Sequence, residues 1–300
     1  MSHQQNGPIL VTGASSGVGR AICEFLASNG HSVYAGVRKQ KDFEELAKLE
    51  NVSPLQVDVT KNEEIELAVK QVHEWKRGLY GLVNCAGVAG VGPLLDTSIE
   101  EFNRVLGVNL IGVHRMVHAF GPMIVESRGR IVNLSSIGGF LVDTWLGPYG
   151  TSKHGLEGYD EVLREEMGMH GVQVITIEPG TYKSKIGTNF FDYMGDRINS
   201  AWDKSIFKDQ MKQVIDWWVN TPGALDRTKW PEPTPIAEAV SDALFSDRPR
   251  SRYLVSDRET AVEVIDKMLR RVIEVNEGYV NPLSDSELAA RFEKVHNLRR

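Results

Sequence analysis

Short apolar runs recur along the 300 residues of the chain and are separated by longer segments in which apolar residues return with helical spacing. The runs are rich in Val, Ile and Leu and lack polar alternation, a pattern typical of strands in a parallel sheet covered on both faces. A late run, "RYLVS" at 252–256, could add a seventh strand to six earlier ones. The six lie at 8–13, 31–37, 53–59, 78–84, 129–136 and 171–179.

Helix-length segments fill the intervals between these runs, and several end at glycine, the residue that commonly follows a helix C-terminus. Strands that alternate with helices join through right-handed crossovers into a parallel sheet. The pattern therefore predicts an α/β fold, namely a doubly wound (Rossmann-type), mainly parallel seven-stranded sheet with helices on both faces.

The strand–helix rhythm breaks over residues 182–235, and a charged segment with a helical pattern follows at 257–300. We expect 1–300 to form a single domain, with 182–235 as an insertion and 257–300 as a helical C-terminal extension. The 182–235 segment is rich in aromatic residues, which are Phe190, Phe191, Tyr193, Trp202, Trp217, Trp218 and Trp230.

The formal net charge of -6 and the pI near 5.8 argue against a basic surface for nucleic acid, so we expect no nucleic-acid partner. The two cysteines, Cys23 and Cys85, show neither metal-ligand spacing nor a disulfide framework, so we expect no metal and a reducing, cytoplasmic location. The first residues lack the cationic and apolar regions of a signal peptide. No window of about 18 apolar residues predicts a transmembrane segment.

The stretch "TGASSGVGRA" directly follows the first predicted strand and opens a helix, with Gly13, Gly17 and Gly19 in a G-x3-G-x-G spacing. Glycines in such a turn let the backbone approach a pyrophosphate, and the helix N-terminus offers free N–H groups and the positive end of its dipole. Ser15 and Ser16 add hydroxyl donors. A glycine-rich turn alone is often only a turn, but this position in a βαβ pattern predicts a dinucleotide site.

The end of the second strand reads "YAGVRKQ" and carries no acid that could hydrogen-bond the 2′-hydroxyl of an adenosine ribose. Arg38 stands there instead, followed by Lys39. A guanidinium is always charged and binds phosphate through two parallel hydrogen bonds. We therefore favour NADP(H) over NAD(H) as the cofactor. The alternative is a solvated Arg-Lys pair in a loop.

An ordered set of motifs over residues 8–185 resembles the short-chain dehydrogenase/reductase family. After the glycine turn come "DV", "NCAG", "GVNLIG", "NLSS", a Y-x-x-x-K pair and "EPGTYKS". "NCAG" departs from the family's "NNAG" because Cys85 replaces an asparagine. Each motif alone is weak, and the resemblance depends on their common order and spacing. The residues of these motifs are most similar to those of the hydroxysteroid and retinol dehydrogenase-like branch.

The resemblance implies hydride transfer between a nicotinamide and an alcohol or carbonyl, with Ser136, Tyr149 and Lys153 as catalytic residues. It also implies that Asn109 holds a water in a proton relay and that Lys153 binds the nicotinamide ribose. The cofactor-binding residues it implies are Gly13, Ser15, Ser16, Gly17, Val18, Gly19, Arg38, Lys39, Asp58, Val59, Asn84, Ala86, Gly87, Tyr149, Lys153, Pro179, Gly180, Thr181, Tyr182 and Ser184.

Tyr149 and Lys153 are four positions apart, which places them on the same face of a helix. A tyrosine with a pKa near 10 needs a shift of about 3 units, or roughly 4 kcal/mol, to act as a base near pH 7. A lysine ammonium about 4 Å away is worth on the order of 4 kcal/mol at an effective dielectric of about 20. We therefore expect Lys153 to lower the pKa of Tyr149, while Ser136 holds the substrate oxygen.

Three neighbouring residues have weaker claims. Ser135 lies beside Ser136, but the spacing of 13 residues to Tyr149 favours Ser136. His154 is adjacent to Lys153 only in sequence, and five positions from Tyr149 it points elsewhere on the helix. A lone helical asparagine such as Asn109 is more often a structural contact than a catalytic group.

The resemblance further implies a small-molecule alcohol or ketone substrate and a homodimer or homotetramer. The aromatic residues at 182–235 lie where the family has its substrate lid, and they favour a bulky apolar substrate of steroid, retinoid or fatty-chain type. Two alternatives stay open: a non-catalytic dinucleotide-sensing protein, and a lyase or epimerase on the same scaffold. The complete set of Ser136, Tyr149 and Lys153 argues against a sensor, which needs no proton donor.

Overall fold

The computed structural model describes residues 7–141, 144–186, 204–221 and 229–297. The chain divides into two compact units, Met1–Ser256 and Asp257–Arg300. The strands of the first unit are β1 (Ile9–Thr12), β2 (Val33–Val37), β3 (Val52–Gln56), β4 (Gly81–Asn84), β5 (Arg130–Leu134), β6 (Gln173–Pro179) and β7 (Arg252–Val255). They form one seven-stranded sheet in the order β3-β2-β1-β4-β5-β6-β7. Every neighbouring pair is parallel, so the predicted doubly wound sheet is confirmed.

Helices cover both faces of this sheet, as the alternation of strands and helices predicts. Those in the described part of the first unit are α1 (Gly17–Ser28), α2 (Gln40–Leu46), α3 (Asn62–Glu74), α4 (Ile99–Asn109), α5 (Ile111–Ser127), α6 (Gly147–Gly168), α7 (Lys208–Asn220) and α8 (Thr234–Phe245). Short 3-10 turns lie at Leu94–Asp96 and Ile137–Gly139. The second unit contains α9 (Arg258–Glu277) and α10 (Asp285–Asn297).

Two apolar cores lie on opposite faces of the sheet because successive strand residues point to opposite sides. Val83 and Val132 face the core that includes residues of α1 and α8. Leu82 and Ile131, one position earlier on the same strands, face the core built with α3, α5 and α6. Burial on both faces explains why the strand sequences read as continuous apolar runs.

The strand order reverses beside β1, which pairs with β2 on one side and with β4 on the other. In open α/β sheets such a reversal leaves a crevice outside the carboxyl ends of the two strands, and ligands bind there. The loops after β1 and β4 are those that carry "TGASSGVG" and "NCAG". The fold therefore brings both predicted motifs to one edge of the sheet.

Each strand is shorter than the apolar run that predicts it. The third strand ends at Gln56 rather than 59, and the apolar Val57 and Val59 beyond it are buried in the loop. The helical pattern that begins at Ser98 forms two helices, α4 and α5, which meet at Leu110 with φ -124° and ψ -59°. This break places Asn109 at the end of α4, where its side chain reaches Val88.

Much of the predicted 182–235 insertion lies outside the described residues. That applies to Phe190, Phe191, Tyr193 and Trp202, and to the side chains of Trp217 and Trp218. The described part includes α7, whose start is joined to the turn at Leu94–Asp96 by a hydrogen bond from the Ser205 hydroxyl to the Asp96 carboxylate, at 2.5 Å. Across 7–141, 144–186, 204–221 and 229–297, no helix is both long and apolar enough to span a bilayer.

Candidate active site

The glycine turn after β1 has a geometry that side chains would obstruct. Gly13 and Gly17 adopt φ values of +68° and +54°, in the left-handed region that favours glycine. A Cβ added at Gly19 would stand 2.4 Å from the carbonyl oxygen of Gly13. Ser16 precedes α1 without capping it through its side chain, and the first turn carries no acid. The N–H groups at the start of α1 are therefore open to an anion, and the turn fits a pyrophosphate.

Thr12 connects this turn to the loop after β4, a role that the sequence analysis missed. Its buried hydroxyl oxygen accepts hydrogen bonds from the backbone N–H groups of Cys85 and Ala86, each at 3.0 Å. A Cβ at Gly13 would lie only 2.9 Å from the Cα of Ala86. Thr12 thus fixes the separation of the two loops. In the sequence, the only indication of this role is that a hydroxyl-bearing residue stands next to Gly13.

Arg38 and Asp58 lie together at the ends of β2 and β3. The guanidinium Nη1 is 3.9 Å from the Asp58 carboxylate, and 64% of the Arg38 side chain is exposed. Burial by itself raises the pKa of Asp58, but hydrogen bonds from Thr60 and the charges of Arg38 and Lys61 together hold that pKa below its usual range. Asp58 is therefore ionised at neutral pH, and Arg38 remains an accessible cation.

A cavity of about 550 Å³ runs along the carboxyl ends of the strands. It is lined by every site residue that the sequence predicts except three, Lys39, Asn84 and Asn109. The cavity also has an apolar part that the motifs did not reveal. Its residues include Val88, Leu141, Leu146, Ile186, Trp230 and Ile236. Trp230 is a member of the aromatic-rich segment, so that segment contributes to the cavity wall.

Ser136 and Tyr149 meet at the wall of this cavity. Ser136 ends the loop after β5, where its oxygen accepts a hydrogen bond of 3.1 Å from the Gly138 N–H. Tyr149 lies in the first turn of α6 and shares a hydrogen bond with Ser136. A Cβ at Gly138 would be 3.2 Å from the Tyr149 ring, so the glycine leaves room for the phenol.

Lys153 lies one turn further along α6 and is buried. Its Nζ donates a 2.6 Å hydrogen bond to the carbonyl oxygen of Leu134 and stands 5.8 Å from the centroid of the Tyr149 ring. The pair therefore occupies one helix face, as the spacing predicts. The Leu134 carbonyl, two residues before Ser136, anchors the ammonium to the end of β5.

The pKa shifts at this pair differ from the sequence expectation. Burial raises the pKa of Tyr149, and the hydrogen bond with Ser136 only opposes that shift. Burial also lowers the pKa of Lys153 to about 8, against the carboxylates of Glu157 and Asp160. The expected lowering of the Tyr149 pKa by Lys153 is not seen here, because burial is the larger cause and the Lys153 ammonium is hydrogen-bonded to the Leu134 carbonyl. At neutral pH the phenol is protonated and the lysine is charged.

Asn109 supports the cavity wall from behind. Its Oδ1 accepts a 2.8 Å hydrogen bond from the Val88 N–H, and its Nδ2 donates to the Val88 carbonyl and to the Ser152 hydroxyl, both at 3.0 Å. Ser152 in turn donates to the Tyr149 carbonyl at 2.7 Å. Asn109 therefore links α4 to the turn of α6 that carries Tyr149. The proton relay implied by the resemblance stays a prediction.

The contacts of Ser135 and His154 distinguish these two residues from Ser136 and Lys153, to which they are adjacent in sequence. The Ser135 hydroxyl is buried without a hydrogen-bond partner among the described residues, and it lies on the side of Glu157, near Gly139. Ser136 has the hydrogen bond with Tyr149. His154 contacts the Gly150 carbonyl of its own helix through Nδ1, at 2.9 Å. Within the described residues, no group of three or more His, Cys, Asp or Glu is arranged to hold a metal.

Comparison with known proteins agrees with this geometry. A sequence profile of the family described as short chain dehydrogenase matches residues 8–194. Among solved structures, a short-chain dehydrogenase from Streptomyces avermitilis superimposes with a TM-score of 0.75 at 24% identity, over 90% of this chain and 96% of that chain. That likeness supports the fold.

Relatives with similar sequences are oxidoreductases by name. Estradiol 17-beta-dehydrogenase 2 of Mus musculus is 33% identical over 82% of this chain and 67% of its own. Mitochondrial D-beta-hydroxybutyrate dehydrogenase of Bos taurus is 30% identical over 82% and 75%. An NADPH-dependent 3-dehydrocapnine reductase of Ornithobacterium rhinotracheale is 30% identical over 88% and 94%. The alignments thus cover most of this chain and of each relative.

Proposed function

Since the chain belongs to the short-chain dehydrogenase/reductase family and is an oxidoreductase of alcohols and carbonyls, we propose that it uses NADP(H) and acts on a bulky apolar substrate. The observation that carries the proposal is one cavity that contains the glycine turn, Arg38 and the three residues Ser136, Tyr149 and Lys153. The first two parts suit a dinucleotide phosphate, and the last three suit the transfer of a proton.

The division of labour at the reacting end follows from hydrogen bonding and charge. A bound nicotinamide supplies or accepts the hydride, and the protein must manage one proton. Ser136 donates a hydrogen bond to the substrate oxygen and holds it beside the phenol. Tyr149, protonated at neutral pH, delivers its proton to the oxygen as negative charge develops there. The Lys153 ammonium, held by the Leu134 carbonyl, stabilises the phenolate that remains.

The proposed preference for NADP(H) depends on Arg38. It lines the cavity at the strand ends, its charge is accessible, and its contact with Asp58 at 3.9 Å is too long for a hydrogen bond. A 2′-phosphate would therefore gain a guanidinium that has no closer ion pair among the described residues. The name of the NADPH-dependent relative supports the same choice.

The proposed substrate class depends on the apolar part of the cavity. Leu141, Leu146, Ile186 and Trp230 line it, and burying their surface against an apolar substrate is favourable by roughly 25 cal/mol per Å². The relatives named for a steroid and for a small hydroxy acid differ in the size of those molecules. Apolar walls favour the steroid-like class.

Replacement of the proton donor tests this mechanism. We expect Tyr149→Phe to lower turnover by about 10²- to 10⁴-fold, because the phenol supplies the transferred proton. The dissociation constant for NADPH, measured by fluorescence of the reduced nicotinamide, should change little.

Tyr159→Phe is the matched control, since Tyr159 lies on the same helix with its hydroxyl 3.3 Å from His114 Nδ1. Unchanged turnover in the Tyr149 variant, or an equal loss in the control, would refute the assigned role.

A further inference from the structure

A row of polar side chains crosses the apolar face of the sheet that packs against α6. Asn84, Asn133, Thr176 and Arg252 are register partners on β4, β5, β6 and β7. Two residues earlier, Leu82, Ile131 and Val174 occupy the same face and belong to the core that includes Leu156 and Leu163 of α6. Asn84, Asn133 and Thr176 are all buried, so each needs a hydrogen-bond partner there.

Asp160 of α6 is the partner that this row shares. It has no exposed surface, and its Oδ1 accepts a 2.5 Å hydrogen bond from Asn133 Nδ2. Its Oδ2 accepts one of 2.8 Å from the Thr176 hydroxyl, which itself accepts from Arg164 at 3.0 Å. On the other side, Asn84 Nδ2 donates to Asn133 Oδ1 at 2.8 Å. One carboxylate therefore ends two chains of donors.

The charge of Asp160 determines the direction of every bond in this chain. An ionised carboxylate only accepts, so the amide nitrogen of Asn133 must face it and the amide oxygen must face Asn84. Asn84 must then present its own nitrogen to Asn133. Its Oδ1 is left as a buried oxygen without a partner in the described part of the chain. That arrangement, although it leaves one oxygen without a partner, is the only one that the ionised carboxylate permits.

The same chain connects the parts of the site that must be held in register. Asn133 directly precedes Leu134, whose carbonyl anchors Lys153, and lies three residues before Ser136. Asp160 lies on the helix that carries Tyr149 and Lys153. A buried hydrogen-bond network rigidifies the structure around it and specifies one arrangement, so these directed bonds help to fix the position of α6 on the sheet.

We propose that Asp160 is a positioning residue, whose ionised carboxylate fixes α6 against β4, β5 and β6 and so keeps Tyr149 and Lys153 in register with Ser136. The proposal rests on the proposed function only for the consequence in catalysis. Asp160 itself lines no part of the cavity.

The surroundings of Asp160 make this role dependent on pH. Burial raises the pKa of Asp160 from 3.8 to about 7, against the donors Asn133 and Thr176, with Glu157 raising it further and Arg164 lowering it. Three other titratable groups interact electrostatically with Asp160, namely Lys153, Tyr159 and Glu178. Protonated Asp160 can donate to an inverted Asn133 amide, so the chain loses its fixed direction as pH falls below about 7.

An exchange of the side chains of Asn133 and Asp160 distinguishes the effect of hydrogen-bond direction from that of packing. In Asp160→Asn the amide can face Asn133 in either sense, so we expect kcat to fall about 10- to 100-fold through misplacement of reacting groups. The double variant Asn133→Asp/Asp160→Asn restores a consistent chain: Asp at 133 accepts from Asn84 and from the new amide, whose oxygen accepts from Thr176. We expect it to recover most of the lost activity.

The pH profile and a control variant complete this experiment. Wild-type kcat should decline below pH about 7, and the single Asp160 variant should lack that limb. Glu161→Gln alters a neighbouring carboxylate on α6 that is 68% exposed, and it should keep both the wild-type rate and the limb. If the single variant keeps wild-type kcat, or the exchange recovers nothing although it folds, the proposal is overturned.

Two further measurements keep the inference independent of folding and of turnover. If Asp160→Asn does not fold, Thr176→Val removes only one donor, and the acid limb should then move to higher pH; an unmoved limb contradicts the proposal. The side-chain amide signals of Asn133 in NMR should titrate near pH 7 in the wild type and stay constant in Asp160→Asn. A wild type that shows this titration but turns over no substrate would refute the proposed function alone, and absence of the titration would refute the inference.

Discussion

Arg38 has the surface position that selectivity for a phosphate requires. Its side chain is 64% exposed and its contact with Asp58 is 3.9 Å, so that pair contributes little to stability. Lys39, which follows it, precedes α2 and does not line the cavity. The two cations are therefore not equivalent, although both are predicted cofactor-binding residues. One variant at each position can separate their roles.

We expect Arg38→Ala to weaken NADPH binding by about 10- to 100-fold and to leave NADH binding nearly unchanged, because one hydrogen-bonded charge is lost. Lys39→Ala is the matched control and should affect neither cofactor by more than about twofold. Dissociation constants for both cofactors, taken by fluorescence titration at one fixed salt concentration, check this. Equal losses for NADPH and NADH, or a larger loss in the Lys39 variant, would contradict the phosphate role.

Residues in local motifs could be recognised from the sequence, whereas residues that act across the sheet could not. Gly13, Tyr149 and Lys153 belong to short patterns whose spacing is itself the signal. Thr12 and Asp160 acquire partners only when strands far apart in the chain become neighbours, as the bonds Thr12–Ala86 and Asp160–Thr176 illustrate. The direction of the pKa shift at Tyr149 depends on burial, which spacing does not give.

At the level of elements, we propose that the start of α1 and the loop before it act as one anion-binding unit. The close approach of Gly19 to the Gly13 carbonyl leaves no space for a methyl group. By contrast, a Cβ at Gly158 in α6 would meet nothing within 4 Å, and this glycine is exposed. The chain therefore offers one helical glycine that the site requires and one that it does not.

We expect Gly19→Ala to lower the free energy of unfolding by about 1–3 kcal/mol through overpacking, and to weaken NADPH binding as the turn shifts. Gly158→Ala should raise the free energy of unfolding by about 1 kcal/mol, since alanine is the better helix former, and leave NADPH binding unchanged. Urea titration and a cofactor titration on each variant give both quantities. Tight NADPH binding by the Gly19 variant would argue against the turn as the phosphate site.

The strands were predictable as elements because burial on both faces makes most of their residues apolar. The buried faces of the helices were harder to predict, because a polar residue in a helical pattern is expected to face solvent when the fold is not known. Helix α6 illustrates this: Glu157 and Asp160 are buried toward the sheet, where Arg252 and Thr176 meet them. The break between α4 and α5 occurs at a leucine, Leu110, rather than at a proline or glycine that would have predicted it.

At the scale of the whole molecule, the order of the strands determines where the candidate active site lies. The reversal beside β1 brings loops from distant parts of the chain to one cavity. The predicted family is confirmed by the profile, and the relative named for estradiol supports the predicted likeness to the hydroxysteroid and retinol dehydrogenase-like branch. The homodimer or homotetramer and the cytoplasmic location stay predictions.

The central claim is best tested by one measurement on the purified protein, namely consumption of reduced nicotinamide with a panel of ketones. The panel pairs steroid, retinoid and fatty-chain carbonyls with small polar ketones, each supplied with NADPH and with NADH. We predict turnover of a bulky apolar carbonyl, with kcat/KM at least about tenfold higher for NADPH than for NADH, the equivalent of about 1.4 kcal/mol. Turnover restricted to small polar ketones, or a preference for NADH, would contradict the account.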